Sequence, residues 1–91
     1  MELVTGTGTI LLVDDQELVI EVVRDILSML GYTVLTAKSG PEAIVFFEQN
    51  KDRVDLVVLD YVLPGMSGAD VFERIRAIRA DARVLVSSGY S

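Results

Sequence analysis

The chain has 91 residues, 51% of them hydrophobic, with 8 Lys and Arg against 14 Asp and Glu, a formal charge of -6, and neither Cys nor His. That length suits one small domain with a modest core, and the acidic balance argues against a nucleic-acid surface or an anionic membrane, both of which need clustered Lys and Arg. Without Cys or His there is no disulfide framework, no thiolate and no imidazole, so any chemistry must rest on carboxylates, hydroxyls or backbone.

Residues 1–8, with the glycines and threonines of "TGTGT", are expected to form a flexible N-terminal tether. Phosphate-cradling glycine loops follow a strand and open a helix, whereas this one precedes an apolar run, so that role is set aside. The opening "MELVTGTGTI" lacks the basic region and cleavage site of a secretory signal. No apolar stretch reaches the roughly 18–20 residues of a membrane span, because Asp14, Asp15, Arg24, Asp25 and Asp60 interrupt every candidate. The expected location is the cytoplasm.

Thr9 to Val13 predicts a short strand covered on both faces, closed by Asp14 and Asp15. Val19, Val22, Val23, Ile26, Leu27 and Leu30 recur at helical spacing and predict an amphipathic helix that Gly31 stops. "YTVLTA" predicts a second strand. "SGPEAIVFFEQN" predicts a second helix, with Ser39 and Glu42 spaced as a capping box, Pro41 in the first turn, and Ala43, Ile44 and Phe47 facing inward. "VDLVVLD" is the most apolar strand and should be central; Asp60 ends it. After the turn signal of "YVLPGMSG", Ser67 and Asp70 are spaced to cap a third helix with Val71, Phe72, Ile75 and Ile78 on its apolar face. "ARVLVSS" predicts a fourth strand. Strands alternating with helices across short connections indicate an α/β fold, a parallel sheet with helices on both faces.

In a parallel sheet every strand ends at the same edge, so Asp14, Asp15, Asp60, Ser87 and Ser88 should gather there. Carboxylates held close repel one another, and a raised pKa or a bound cation relieves the repulsion. With only oxygen ligands on offer, Mg²⁺ is the fitting cation, since it takes one or two carboxylates and leaves positions for phosphate oxygens. It would also neutralise an incoming phosphoryl group. A plainer role exists for either Asp14 or Asp15 as the cap of the helix from Gln16. Two adjacent aspartates, a third after another strand and a hydroxyl after a fourth together favour a site.

"ILLVDDQELV", "GYTVLTAKSGPEAI", "DLVVLDYVLPGMSG" and "VLVSSGY" resemble, in order, the landmarks of the response regulator receiver domains of two-component signalling, in the manner of a chemotaxis regulator, from Thr9 through Tyr90. The resemblance implies a doubly wound, flavodoxin-like sheet of order 2-1-3-4-5 with its site where the first and third strands part. It implies that Asp60 is the phosphoacceptor, taking a phosphoryl group from a phosphohistidine as an acyl phosphate. Asp15 and Asp60 would bind Mg²⁺ directly, Asp14 directly or through a water, and the Val62 carbonyl would add another oxygen. Ser88, directly before Gly89, matches the switch hydroxyl better than Ser87 does. Pro64, Gly65 and Gly68 fit the turn after the site, which simple turn chemistry explains equally well. The implied partner is a histidine kinase or a histidine phosphotransfer domain, with no direct nucleic-acid or membrane contact. Activity would extend at most to self-phosphorylation and autodephosphorylation.

The chain departs from the family in one respect. A fifth strand carrying a phosphoryl-pairing lysine and a last helix are expected of a receiver, and the sequence stops at Ser91. Residues 9–91 are therefore expected to form a receiver of order 2-1-3-4, and its fourth strand, left as an open edge, to favour self-association. Neither Lys38 nor Lys51 is expected near Asp60; both read as solvated. One alternative is a receiver-like scaffold that binds partners without switching. Another is a haloacid-dehalogenase-type phosphatase, which wants a second aspartate where Val62 stands. The tether and the ending "SSGYS" are similar to receivers joined to a sensor kinase, as in hybrid histidine kinases.

Overall fold

The computed structural model describes residues 7–87; residues 1–6, most of the expected tether, and residues 88–91, including Ser88, lie outside the described residues. Strands β1 (Thr9–Val13), β2 (Thr33–Ala37), β3 (Val54–Asp60) and β4 (Val84–Ser87) alternate with helices α1 (Glu17–Met29), α2 (Gly40–Gln49) and α3 (Gly68–Ile78). All strand pairs are parallel and the order is β2-β1-β3-β4, as expected from the sequence. The chain steps from β1 outward to β2, then back past β1 to β3 and on to β4. Because parallel crossovers are right-handed, this reversal puts α1 on one face of the sheet and α2 with α3 on the other.

Strand alternation divides the apolar residues between those faces. Leu11 and Val13 of β1 and Val57 and Leu59 of β3 join Ala43 and Phe47 of α2 and Val71 and Ile75 of α3 in one buried cluster. Burying each such side chain is worth roughly 1.5–3 kcal/mol, which makes this side the principal core. Ile10 and Leu12 point to the opposite face, where α1 buries Ile20 and Leu27. Ile44 is half-buried, a step outside the inward face expected for it.

The inward face of α1 differs from the sequence expectation. Val22 and Ile26 are exposed, Val19, Val23 and Leu30 are half-buried, and Ile20, absent from the expected set, is buried. At about 100° per residue, the apolar positions of α1 from Ile20 round to Leu18 cover roughly 200° of its circumference. The sheet covers only half of that arc. Leu18 at 76% and Met29 at 86% exposure lie on the uncovered half with Val22 and Ile26. Spacing alone ranked a double-width stripe as one face.

The helix ends follow the local chemistry of the sequence. Gly31 takes φ 104°, and the Tyr32 and Gly31 amides donate to the Leu27 and Ser28 carbonyls, a Schellman stop for α1. Ser39 Oγ accepts from the Glu42 amide at 3.2 Å, and Ser67 Oγ from the Asp70 amide at 3.1 Å. The capping box at α2 is offset by one residue, since the Glu42 carboxylate accepts from the Lys38 amide at 3.0 Å rather than from Ser39.

Candidate functional site

The β1–β2 register pairs Val13 with Ala37, the β1–β3 register pairs Val13 with Leu59, and the β3–β4 register pairs Asp60 with Ser87. One step past Val13, the residues Lys38, Asp14, Asp60 and Ser87 therefore form a single row across the carboxyl edge of the sheet. Side chains in such a row point to the same side. The ladder persists at this level, for the Asp14 amide donates to the Ala37 carbonyl at 3.1 Å and the Tyr61 amide to the Ser87 carbonyl at 2.9 Å.

Carboxylate oxygens of Asp14, Asp15 and Asp60 all lie within 4.8 Å of one another, so the structure brings together the three aspartates singled out in the sequence. Asp14 is 3% and Asp60 8% exposed, while Asp15 faces solvent. Two buried carboxylates beside a third are costly unless a cation or hydrogen bonds compensate. Burial pushes the Asp14 carboxyl above its ordinary value, the Gln16 amide lowers it in part, and the charges of Asp60 and Asp15 raise it further. Asp14 Oδ1 accepts from the Gln16 amide at 2.9 Å. That bond is what remains of the plainer capping role: the N-cap of α1 is Gln16, whose own side chain makes no cap bond, and neither aspartate occupies that position.

Asp60 Oδ1 accepts from the Val62 amide at 3.2 Å, so the bend after β3 folds its backbone onto the carboxylate that ends the strand. Gly65 reverses the chain at φ 77°, a conformation that side-chain-bearing residues rarely adopt. Gly68 then lies against the backbone of Tyr61: its amide donates to the Tyr61 carbonyl at 3.0 Å, and a Cβ there would stand 2.7 Å from the Tyr61 Cα. The two glycines are thus explained by backbone geometry, which keeps the segment following Asp60 tight against the start of α3.

Val62 contributes its amide to the site, and its side chain is exposed. Ser87 takes its place in the row beside Asp60. Lys38 has the solvated side chain expected of it, 55% exposed, but the sequence reading gave neither it nor Glu17 a place at this edge. Lys38 directly follows β2 at the carboxylate edge, and its ammonium sits 3.1 Å from Glu17 Oε1, in the first turn of α1. The signal was present: the strand-end rule that selected the aspartates also selects the residue after Ala37.

The donor set fits a hard divalent cation. Three carboxylates converge, no nitrogen or sulfur ligand stands among them, and the ligand atoms are close enough for one ion to serve all three.

Comparison with known proteins agrees with this fold. Sensor kinase CckA of Brucella abortus (strain 2308) is 37% identical over 87 residues, which cover 96% of this chain and 9% of that protein. Sporulation initiation phosphotransferase F of Bacillus subtilis (strain 168) is 33% identical over 81 residues, 89% of this chain and 64% of that protein. The chain thus spans less than two thirds of either relative. Among solved structures, response regulator protein TrrA from Thermotoga maritima, in complex with Mg²⁺ and BeF, superposes with a TM-score of 0.81 at 38% identity, covering 92% of this chain and 71% of that one. The family model described as the response regulator receiver domain matches residues 10–91, and the chain belongs to that family.

Proposed function

We propose that the chain is the phosphoacceptor of a two-component phosphorelay and that Asp60 carries the phosphoryl group. The observation that carries this reading is the convergence of Asp14, Asp15 and Asp60 within 4.8 Å at the carboxyl edge of the sheet. Asp60 ends β3 and stands between Asp14 and Ser87 in the row, with β1 and β4 on either side. An Asp60 carboxylate oxygen attacks phosphorus; the new O–P bond forms as the N–P bond of a phosphohistidine breaks. The electron pair of that bond leaves with the imidazole nitrogen, which takes up a proton. The Val62 amide, bonded to Asp60 Oδ1, orients the carboxylate for this step.

Asp14, Asp15 and Asp60, with the Val62 carbonyl, are the groups that would hold Mg²⁺. When bound, the ion supplies positive charge to offset the carboxylates and the phosphoryl oxygens. The same kind of support comes from TrrA, whose structure holds Mg²⁺ and BeF together. Ser88 follows Ser87 in the chain, and Ser87 stands opposite Asp60; we assign Ser88 the hydroxyl that bonds a phosphoryl oxygen and couples phosphorylation to a change of conformation. The donor is a histidine kinase or a histidine phosphotransfer domain, a reading supported by the similar structure in which histidine kinase ThkA is in complex with response regulator protein TrrA. The cytoplasm, where such donors and Mg²⁺ meet, is the proposed location; no helix of the described residues is long and apolar enough to cross a membrane.

Incubation with acetyl phosphate and MgCl₂ tests this reading. The parent chain should take up one phosphoryl group, and Asp60→Asn none, because an amide is a poor nucleophile and a weaker metal ligand. Equal labelling of the two chains would overturn the assignment.

A further inference from the structure

We propose that the free edge of β2 is a docking strand for β2 of a second copy of this chain, the two pairing antiparallel about a two-fold axis at Leu35. Among the described residues β2 has a neighbour on one side only, β1. The Thr33 amide donates to the Gly8 carbonyl at 2.8 Å, and the Ala37 carbonyl accepts from the Asp14 amide at 3.1 Å. A residue in a parallel ladder turns its amide and carbonyl to one side, and the next residue turns both to the other. Thr33, Leu35 and Ala37 therefore serve β1, while Val34 and Thr36 present their backbone groups outward. The row of outward amides stops there at both ends: the Tyr32 amide donates to the Leu27 carbonyl at 3.1 Å and the Lys38 amide to the Glu42 carboxylate at 3.0 Å.

Edge strands are commonly protected by a proline, a bulge or a charge. "TVLTA" contains neither proline nor charge, and its five residues pair with β1 without a shift of register. Lys38 lies just beyond the strand, and its ammonium is drawn away to Glu17 at 3.1 Å. Beside the edge is a groove of about 340 Å³, lined by Val34, Leu35 and Thr36 of β2 and by Phe46, Gln49 and Asn50. An added strand has room there for its side chains.

The spacing of the outward groups selects the occupant. A two-fold contact sets a surface against itself, so the residues with free groups must be symmetric about its axis. Val34 and Thr36 are symmetric about Leu35. In that register Val34 meets Thr36 of the second copy, each exchanging an amide and a carbonyl, and the reciprocal pair does the same, giving four hydrogen bonds. Centring the contact on Val34 or on Thr36 would instead call on the amides of Tyr32 or Lys38, which are already taken. Leu35 stands opposite Leu35, on the face where it packs against the core cluster, and Lys38 falls opposite Tyr32, so no like charges are opposed. The contact lies on the far edge of the sheet from β4 and uses neither the carboxylate site nor the exposed residues of α1.

Amide hydrogen exchange followed by NMR tests it on the 91-residue chain, at about 50 µM and about 1 mM, because a contact this small gives a weak dimer governed by mass action. The Val34 and Thr36 amides should exchange roughly threefold or more slowly at the higher concentration, with Thr33 and Leu35, bonded to β1, unchanged. Equal exchange of Val34 and Thr36 at both concentrations would overturn the proposal. Protection already complete at the lower one would do so too, since the edge would then be covered within a single chain. Val34→Pro removes only an outward amide, a change an edge strand tolerates, and should make Thr36 exchange independent of concentration. A second variant stands apart from the folding of that one. The chain has no cysteine, and a pair of this type places the two Leu35 Cα atoms roughly 4.5 Å apart, within disulfide reach. Leu35→Cys should therefore oxidise to a disulfide-linked dimer roughly tenfold or more faster than Glu48→Cys, placed on the exposed side of α2. Equal rates would overturn the register.

Discussion

Replacing Asp14 with Asn should stabilise the metal-free fold while weakening its response to Mg²⁺. Asp14 is almost wholly buried, and its ligand oxygen stands within 4.8 Å of those of Asp15 and Asp60. At 4.8 Å two unit charges repel by about 0.9 kcal/mol in bulk water and about 3.5 kcal/mol at an effective dielectric of 20. Asn keeps an oxygen for the Gln16 amide, so the 2.9 Å bond that orients the loop survives the substitution. Relief of the two repulsions and of the buried charge, less the loss of charge assistance in that bond, should raise unfolding free energy by about 1–3 kcal/mol. Urea unfolding followed by far-UV circular dichroism in EDTA at neutral pH measures it. MgCl₂ should then stabilise the parent more than the variant. The pH dependence has a defined sign: burial and the neighbouring charges raise the folded-state pKa above the ordinary 3.8, so the native state binds the proton more tightly. Parental stability should fall as pH rises from that ordinary value through the raised one, a loss that Asp14→Asn would not show. A variant less stable than the parent in EDTA at neutral pH would refute the electrostatic reasoning, and with it the view that the cluster is built at a cost to stability.

Gly68→Ala should destabilise the chain by about 1–3 kcal/mol, because its Cβ would meet the Tyr61 backbone at 2.7 Å; the urea midpoint reads the loss. Ser67→Ala removes the acceptor of the Asp70 amide and should cost about 0.5–2 kcal/mol, seen as a lower thermal midpoint with the site's Mg²⁺ affinity retained. The 91-residue chain should self-associate as its concentration rises, since Leu18, Val22, Ile26 and Met29 of α1 and Leu85 and Val86 of the β4 edge are exposed. Sedimentation velocity checks this, and Val22→Glu combined with Ile26→Glu should shift the distribution toward monomer.

Most of the fold was legible because period, caps and strand ends agreed. "TILLV" and "VDLVVLD" became the two inner strands, Ser39 and Ser67 capped their helices, and Gly31 stopped α1. The aspartates were legible for a topological reason: parallel strands deliver their last residues to one edge, so order along the chain is enough to place Asp14, Asp15 and Asp60 together. Periodicity failed at α1, where an apolar arc twice the width of the buried face hid which half packs, and Ile20 was passed over for Val22. Lys38 was passed over because a lone lysine reads as a solvated charge; its place in the row depends on register, which the sequence does not state. The offset capping box at α2 has the same origin, since Glu42 reaches Lys38 rather than Ser39 only in three dimensions.

The central claim is that Asp60 becomes an acyl phosphate, and borohydride trapping tests it most directly. The 91-residue chain is incubated with acetyl phosphate and MgCl₂, reduced with borohydride, digested and read by tandem mass spectrometry; reduction converts a phosphorylated aspartate to homoserine. Homoserine at position 60, and at no other aspartate, with the signal abolished by EDTA, is the predicted result. Homoserine at position 14 or 15, or none at any position while labelling with Mg²⁺ is complete, would contradict the account.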